Sequence, residues 1–296
     1  MSNISIIPFL TDHLWIRDIG PVYVEKLDGS LNPGGFAINF RFNEWGRINA
    51  IGDDDRPSNG FDWPVMQPAQ LEENVTFARR VIEFDQSPSP ATLVEFKVCL
   101  EGGALVVDGD GTLLAIESSI LNKNRNPGLS RSEIEEELYR LLGLEKIIWF
   151  PGRKGLGVTD VHADAEVTFV RPGVVVLSRP HHSVPRAWKK FYREIRDILR
   201  DATDAKGRSF ENEPDPRVFG DLMYDEPATS YVNCHFVNGD LILLQFGDPY
   251  RDQEALSLFQ SLRLHRVVWP VRVFGLPLAV GVIHCATQPV LASGDF

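Results

Sequence analysis

Residues 104–116 read Ala104-Leu-Val-Val-Asp108-Gly-Asp-Gly111-Thr-Leu-Leu-Ala-Ile116. Two apolar runs, 104–107 and 112–116, flank an Asp-Gly-Asp-Gly turn, the short-range signature of a β-hairpin. Downstream, Ser130 or Ser132 stands in capping-box spacing with Glu133 or Glu135, and Ile134, Leu138, Leu141 and Leu142 share one helical face. An apolar strand over 146–150 closes the unit, giving the order ββαβ.

The same unit recurs. Strands 166–170 and 174–178 flank Arg171-Pro-Gly173 and precede an amphipathic helix over about 187–201; strands 231–237 and 240–246 flank Asn238-Gly239 and precede a helix near 252–262 and a strand at 266–271. The chain ends look like partial copies: 21–25 and 36–40 flank a turn through Asp28-Gly29, while 271–274 and 278–283 lead into Cys285 as a strand end. Units that cannot bury their own faces are expected to pack side by side around a shared centre. The alternative is an irregular mixed α/β domain whose hairpins only look alike. Residues 56–89 read as an elaborated connection near the site mouth, with a weak helical pattern around 71–82. Residues 205–217 read as a loop with a short strand. Neither is a domain boundary, so residues 1–296 are expected to form a single domain.

The 296 residues are 43% hydrophobic and 24% charged, an ordinary globular composition with room for a sizeable core. Acidic residues exceed basic ones to give a net charge of −11, which repels nucleic acid and favours cationic ligands. Three cysteines without zinc spacing argue for a reducing compartment. No basic leader or membrane-length apolar run is present, so a soluble, cytoplasmic protein is expected.

Polar residues stand where each hairpin begins. Asp18 precedes the first, Glu101 the second, and His162 and Asp164 the third, while Cys285 closes the last strand. Arranged around one axis, these positions bring a thiol, an imidazole and three carboxylates into one pocket. A thiolate attacks electrophilic carbon, an imidazole moves protons, and carboxylates bind a cation or orient the imidazole. Three carboxylates are too many for simple acyl transfer but suit a planar guanidinium. His284 is set aside, because adjacent residues of a strand face opposite ways. Cys99 and Cys234 lie in apolar runs and read as packing residues. Plainer readings exist: Asp18 as an ion-pair or turn residue beside Arg17, Glu101 as a cap before Gly102-Gly103, and His162-Ala-Asp164 as a metal site with Asp160 or His181-His182. The chain lacks a His-Glu-x-x-His helix, a His-x-His pair and a cysteine pair, and it has no P-loop, dinucleotide fingerprint or Gly-x-Ser-x-Gly elbow.

Five stretches together resemble the agmatine deiminase and bacterial-type peptidylarginine deiminase family. They are Trp15-Ile-Arg-Asp-Ile-Gly-Pro21, Leu100-Glu-Gly-Gly103 with Asn122-Lys-Asn-Arg-Asn-Pro127, His162-Ala-Asp164, Asn238-Gly239 through Gln245-Phe-Gly-Asp-Pro249, and His284-Cys-Ala-Thr-Gln-Pro289. The resemblance runs in order along essentially the whole chain. It implies a pentein α/β propeller of ββαβ repeats around a pseudo-fivefold axis, and cofactor-free, metal-free hydrolysis of a guanidine through a covalent cysteine thiouronium. It also implies roles: Cys285 as nucleophile, His162 as general acid/base, Glu101 as its carboxylate partner, and Asp18 and Asp164 clasping the guanidinium beside Trp15. The implied substrate is agmatine, feeding putrescine synthesis, with peptidylarginine as the alternative; a non-catalytic guanidine-binding pentein and a metal-dependent amidohydrolase are the other classes. A homo-oligomer is allowed.

The chain also departs from the family pattern. It starts almost at the Trp-x-Arg-Asp motif, so the first repeat is expected to be incomplete at the N-terminus. The family's acidic residue two before the tryptophan is His13 here, the glycine before its histidine is Val161, and Val280-Gly-Val282 replaces a glycine-rich approach to Cys285. Branched side chains there are expected to obstruct the substrate and weaken turnover.

Overall fold

Among the described residues, an antiparallel hairpin followed by a helix and a third strand, parallel to the hairpin's second, occurs four times along the chain. The structure, a computed structural model, describes residues 7–25, 35–47, 67–85, 89–180, 184–212, 219–220, 229–262, 266–279 and 281–290. A single helical turn, α1 (Ile16–Ile19), leads into β1 (Val22–Val24), β2 (Phe36–Asn39), helices α2 (Pro68–Val75) and α3 (Phe77–Phe84), and β3 (Thr92–Glu95). The second unit comprises β4 (Leu105–Val107), β5 (Thr112–Ile116), the turn α4 (Glu117–Ile120), α5 (Arg131–Leu142) and β6 (Lys146–Phe150). The third comprises β7 (Val167–Arg171), β8 (Val174–Leu177), β9 (Arg179–Pro180), α6 (Arg186–Asp201) and β10 (Glu211–Asn212), with β11 (Phe219–Gly220) paired to β9. The fourth comprises β12 (His235–Val237), β13 (Asp240–Gln245), α7 (Pro249–Ser261) and β14 (Val268–Arg272).

Local chemistry fixes these elements where the sequence places them. Asp108 Oδ1 accepts the backbone amides of Asp110 and Thr112, both at 2.8 Å, which ties the Asp-Gly-Asp-Gly turn to its own side chain. Helix α5 starts with a reciprocal capping box between Ser130 and Glu133 and ends on Gly143 at φ +62°, a left-handed cap that glycine adopts without penalty. Asp248 caps α7 by accepting the amides of Tyr250 and Arg251, with Pro249 at the first helical position.

Alternation along the strands buries both faces of the sheets. Leu113 and Ala115 face a core shared with Ile38, Phe40 and Phe96 of the first unit, whereas Leu114 and Ile116 face Val167, Phe169 and Val175 of the third. Val174 and Val176 in turn face Leu241 and Leu243 of the fourth. Each long helix wedges between its own sheet and the preceding one: α5 through Ile134 and Leu138, α6 through Phe191 and Ile195, α7 through Ala255 and Phe259. Side-by-side packing of repeated units is therefore what the molecule uses, not an irregular mixed domain.

Two expectations change and one is met. The weak helical pattern at 71–82 becomes two helices that break at Thr76, whose hydroxyl bonds the Glu72 carbonyl at 2.6 Å. The short strand expected in 205–217 is β10, which supplies the third unit's missing parallel strand. Cys285 does not end a strand. Residues Leu276–Ala279 form a 3-10 turn containing Pro277, and residues 283–286 form another turn, in which Ala286 N bonds Val282 O and Thr287 Oγ1 bonds Ile283 O. Proline removes a ladder donor, and Thr287 satisfies a carbonyl that a strand would otherwise pair. The turn at Asp28-Gly29 and residues 56–66 lie outside the described residues.

Candidate active site

Each unit delivers its polar residue from the turn just before its first strand. Asp18 lies in α1 ahead of β1, Glu101 precedes the 3-10 turn Gly102–Ala104 ahead of β4, and His162 precedes the 3-10 turn Ala163–Ala165, which contains Asp164, ahead of β7. The fourth unit obeys the same rule with Asn233, in the turn ahead of β12. Asn233 was not singled out from sequence, although its place just before a hairpin is the signal that points to it.

These side chains meet at Gly103. A Cβ at that position would stand 2.6 Å from His162 Nδ1, 3.0 Å from Asp18 Oδ1 and 3.1 Å from Asp164 Oδ2, so only glycine leaves the centre open. Asp18 accepts the Gly103 amide at 3.0 Å and the Trp45 indole N–H at 2.9 Å, so it is no partner of Arg17 at the surface. Glu101 makes no cap hydrogen bond. Its Oε2 lies 3.1 Å from His162 Nε2 and its Oε1 accepts from Arg125 Nε at 3.2 Å. Arg125, itself fully buried, also donates to Asp160 Oδ2 at 2.5 Å and to the Thr159 carbonyl at 2.9 Å. Asp160, entertained as a metal ligand, is instead held by this guanidinium; His181-His182 lies outside the described residues.

His284 and Cys285 come together on Asp164. His284 Nδ1 is 2.8 Å and Cys285 Sγ 3.5 Å from the same Oδ2, and Asn233 Nδ2 is 3.5 Å from the sulfur. Setting His284 aside was wrong, because in a turn adjacent side chains need not diverge. Arg17 fastens the turn, its backbone amide bonding the Cys285 carbonyl at 3.0 Å and its Nε the His284 carbonyl at 3.1 Å. Trp15 stacks so tightly on Gly281 that a Cβ there would sit 2.6 Å from the indole. Cys99 and Cys234 are buried, as read from sequence.

The electrostatics follow from burial and pairing. Burial alone would lower the His162 pKa, but Asp18, Glu101 and Asp164 push it up to about 9. Burial would raise both Glu101 and Asp164; Arg125 and His162 hold the first below its usual range, and His284, His162 and Arg17 do the same for the second. Asp18 is raised, by burial and by the neighbouring carboxylates Glu101 and Asp164. The Cys285 thiol is raised well above its ordinary value by burial, then by Asp164 and Asp18. The site therefore carries an imidazolium, a protonated thiol and paired carboxylates.

The departures resolve differently from expectation. Val161 sits at φ +73°, a left-handed conformation that a β-branched residue rarely adopts, which explains why glycine suits the position. Its side chain does not enter the site: it packs in the core with Ile116, Phe150 and Leu156. Val282 is likewise buried. His13 bonds Glu44 at 2.9 Å and packs edge-on against Trp45.

Repeated ββαβ units that converge on a half-buried thiol, a buried imidazole and buried carboxylates define an α/β protein with an acid-lined thiol centre. Residues 1–290 match the family model of the Porphyromonas-type peptidyl-arginine deiminase. The agmatine deiminase of Medicago truncatula is 33% identical, over 97% of this chain and 78% of its own. That of Pseudomonas fluorescens (strain SBW25) is 32% identical, over 97% and 77%. A solved agmatine deiminase of Enterococcus faecalis superposes with a TM-score of 0.72 at 25% identity, covering 93% of this chain and 73% of that one. The chain belongs to the Porphyromonas-type peptidyl-arginine deiminase family.

Proposed function

We propose that this chain is an agmatine deiminase, hydrolysing the guanidine of agmatine to N-carbamoylputrescine and ammonia in putrescine formation. The carrying observation is the convergence of Asp18, Asp164 and the Glu101–His162 pair on Gly103, with Cys285 Sγ 3.5 Å from Asp164. The agmatine deiminases among its relatives support the substrate.

On this reading Asp18 and Asp164 clasp the guanidinium, with Trp15 beside it. The arriving cation offsets the two carboxylates that keep the thiol protonated, so binding itself activates Cys285. Sulfur bonds the guanidine carbon. His162, protonated and steadied by Glu101, gives its proton to the leaving nitrogen as the C–N bond breaks; the departing ammonia also carries off the proton that Cys285 lost, leaving as ammonium with His162 neutral. Water then adds to the carbon of the thiouronium, His162 takes one of its protons, and the C–S bond breaks to release the urea and the thiolate.

The wider reading is a single pentein domain of ββαβ units about a pseudo-fivefold axis; the four described units and their side-by-side packing support it, whereas the first unit, expected to be incomplete, has its hairpin, helices and third strand. Three free thiols fit a cytoplasmic enzyme, and a homo-oligomer is compatible with it. No helix among the described residues is long and apolar enough to cross a membrane.

The deciding experiment is ammonia release by purified protein from agmatine and, in a parallel arm, from a peptidylarginine. Release from agmatine that Cys285→Ala abolishes is expected. Release from the peptide alone would transfer the activity to that substrate, and release that survives Cys285→Ala would remove the thiol mechanism.

A further inference from the structure

A cavity of about 190 Å³ lies behind the reaction centre. Asp164, His284 and Arg17 line one part of it, and the rest follows β4, β7 and the approach to β12. The site residues occupy the turns before these strands, so the cavity runs along the strands and away from the centre. It passes Thr168 and the buried His235 and reaches Val107, the last residue of β4, which is 51% exposed. One end therefore meets Asp164 and His284 and the other meets solvent, with the polar groups Thr168 and His235 on the wall between them. A space of this size with polar groups on its wall has room for several waters.

The reaction read above needs such a supply at a particular moment. After C–N cleavage the thiouronium still carries its alkyl tail, which fills the side by which substrate arrived. One water must nevertheless reach the guanidine carbon. We propose that this cavity is a second door to the site, delivering the hydrolytic water from the far face while the tail of the intermediate occupies the first. The inference rests on the deiminase reading. The step it feeds is balanced: the water oxygen bonds the carbon, one water proton passes to His162, the C–S bond breaks with its electron pair to sulfur, and the second water proton returns to the thiolate as the urea carbonyl forms.

Obstructing the outer bore tests it. Val107→Trp and Thr168→Trp, on opposite strands at partly exposed positions, should fill the passage; Thr168→Val keeps the bore and serves as the control. Delivery of water lies after the covalent step, so kcat should fall about tenfold while kcat/KM for agmatine holds, and KM should fall in parallel. Acid-quenched protein should carry the thiouronium mass on Cys285 in a larger fraction of molecules than wild type. Unchanged kcat and adduct occupancy in the folded double variant would overturn the second door, and so would a fall in kcat/KM without accumulating adduct. If both tryptophans unfold the protein, Val107→Met and Thr168→Leu should give the same signature in smaller degree, and its absence there counts equally against the door. A wild-type chain that forms no adduct and releases no ammonia fails the deiminase reading itself, and the door with it, which is a separate result from an active enzyme indifferent to obstruction.

Discussion

Replacing Arg125 with methionine isolates what the buried charge network does for the site. Methionine preserves much of the stem's volume, so the main loss is the cation between Glu101 and Asp160, contacted at 3.2 and 2.5 Å. Removing one partner of a buried pair costs about 3–5 kcal/mol, because the other charge stays desolvated. That is a large share of a typical total stability of about 5–15 kcal/mol. The cost must depend on pH. In the wild type Glu101 titrates below its ordinary value, so its contribution is present above that value and lost as pH falls through the folded pKa. Without Arg125, burial dominates and lifts the folded pKa above the unfolded one. The group then opposes folding increasingly as pH rises, and protonation relieves the penalty in acid. Urea midpoints at pH 5 and pH 8 are the assay. With a slope on the order of 3 kcal/mol per molar, the variant should lose about 1 M or more at pH 8 and distinctly less at pH 5. Arg125→Lys, which keeps the charge but not the fork, should lose less than methionine at pH 8. Equal losses for methionine at both pH values would refute the reasoning and assign Arg125 a packing role.

Three further outcomes are expected. Gly103→Ala should retain the fold yet lower turnover on the order of a hundredfold or more, since its Cβ would meet His162 Nδ1 at 2.6 Å; unchanged ammonia release would place the centre elsewhere. Val161→Gly should relieve about 1–2 kcal/mol of left-handed strain but forfeit about 2–3 kcal/mol of buried side chain. Its melting temperature should therefore drop slightly with no gain in kcat, whereas a gain would revive steric obstruction. A haloacetamidine should alkylate Cys285 far ahead of Cys99 and Cys234, read by peptide mapping, while neutral iodoacetamide shows much less of that preference; equal labelling by both reagents would contradict activation by a cation.

The repeating unit was legible because hairpin turns and capping boxes are local. Asp108-Gly-Asp-Gly111 and Ser130-x-x-Glu133 act within a few residues and fold where they are read. The convergence of Asp18, Glu101, His162 and Asp164 was legible for a related reason: each stands three to five residues before the first strand of its hairpin, and repetition turns such a position into a place. What escaped depends on contacts between distant segments. Arg125 reaches Glu101 and Asp160 across 24 and 35 residues, and His284 reaches Asp164 across 120, so no spacing announces either. The turn around Cys285 escaped because 276–283 is apolar enough for a strand; Pro277 and Thr287 instead close turns on either side of it.

On the proposed reading, with Cys285 as nucleophile and Asp18 and Asp164 as the guanidinium clasp, one site can be hostile to its own nucleophile and still use it. In the free protein burial, and after it Asp164 and Asp18, raise the Cys285 thiol, which protects it from adventitious alkylation and oxidation. A guanidinium clasped by the same two carboxylates reverses their effect on sulfur, and a unit charge about 4 Å away is worth about 4 kcal/mol near a protein surface, or roughly three pKa units. The thiolate therefore forms only when its electrophile is in place. Hydrolysis then converts the cationic guanidinium to a neutral urea, so the carboxylates lose their counter-charge at that head, the thiol takes back its proton and the product loosens. Binding, activation and release thus follow from one change of charge, and a neutral urea or amide of the same shape should neither bind nor activate the thiol.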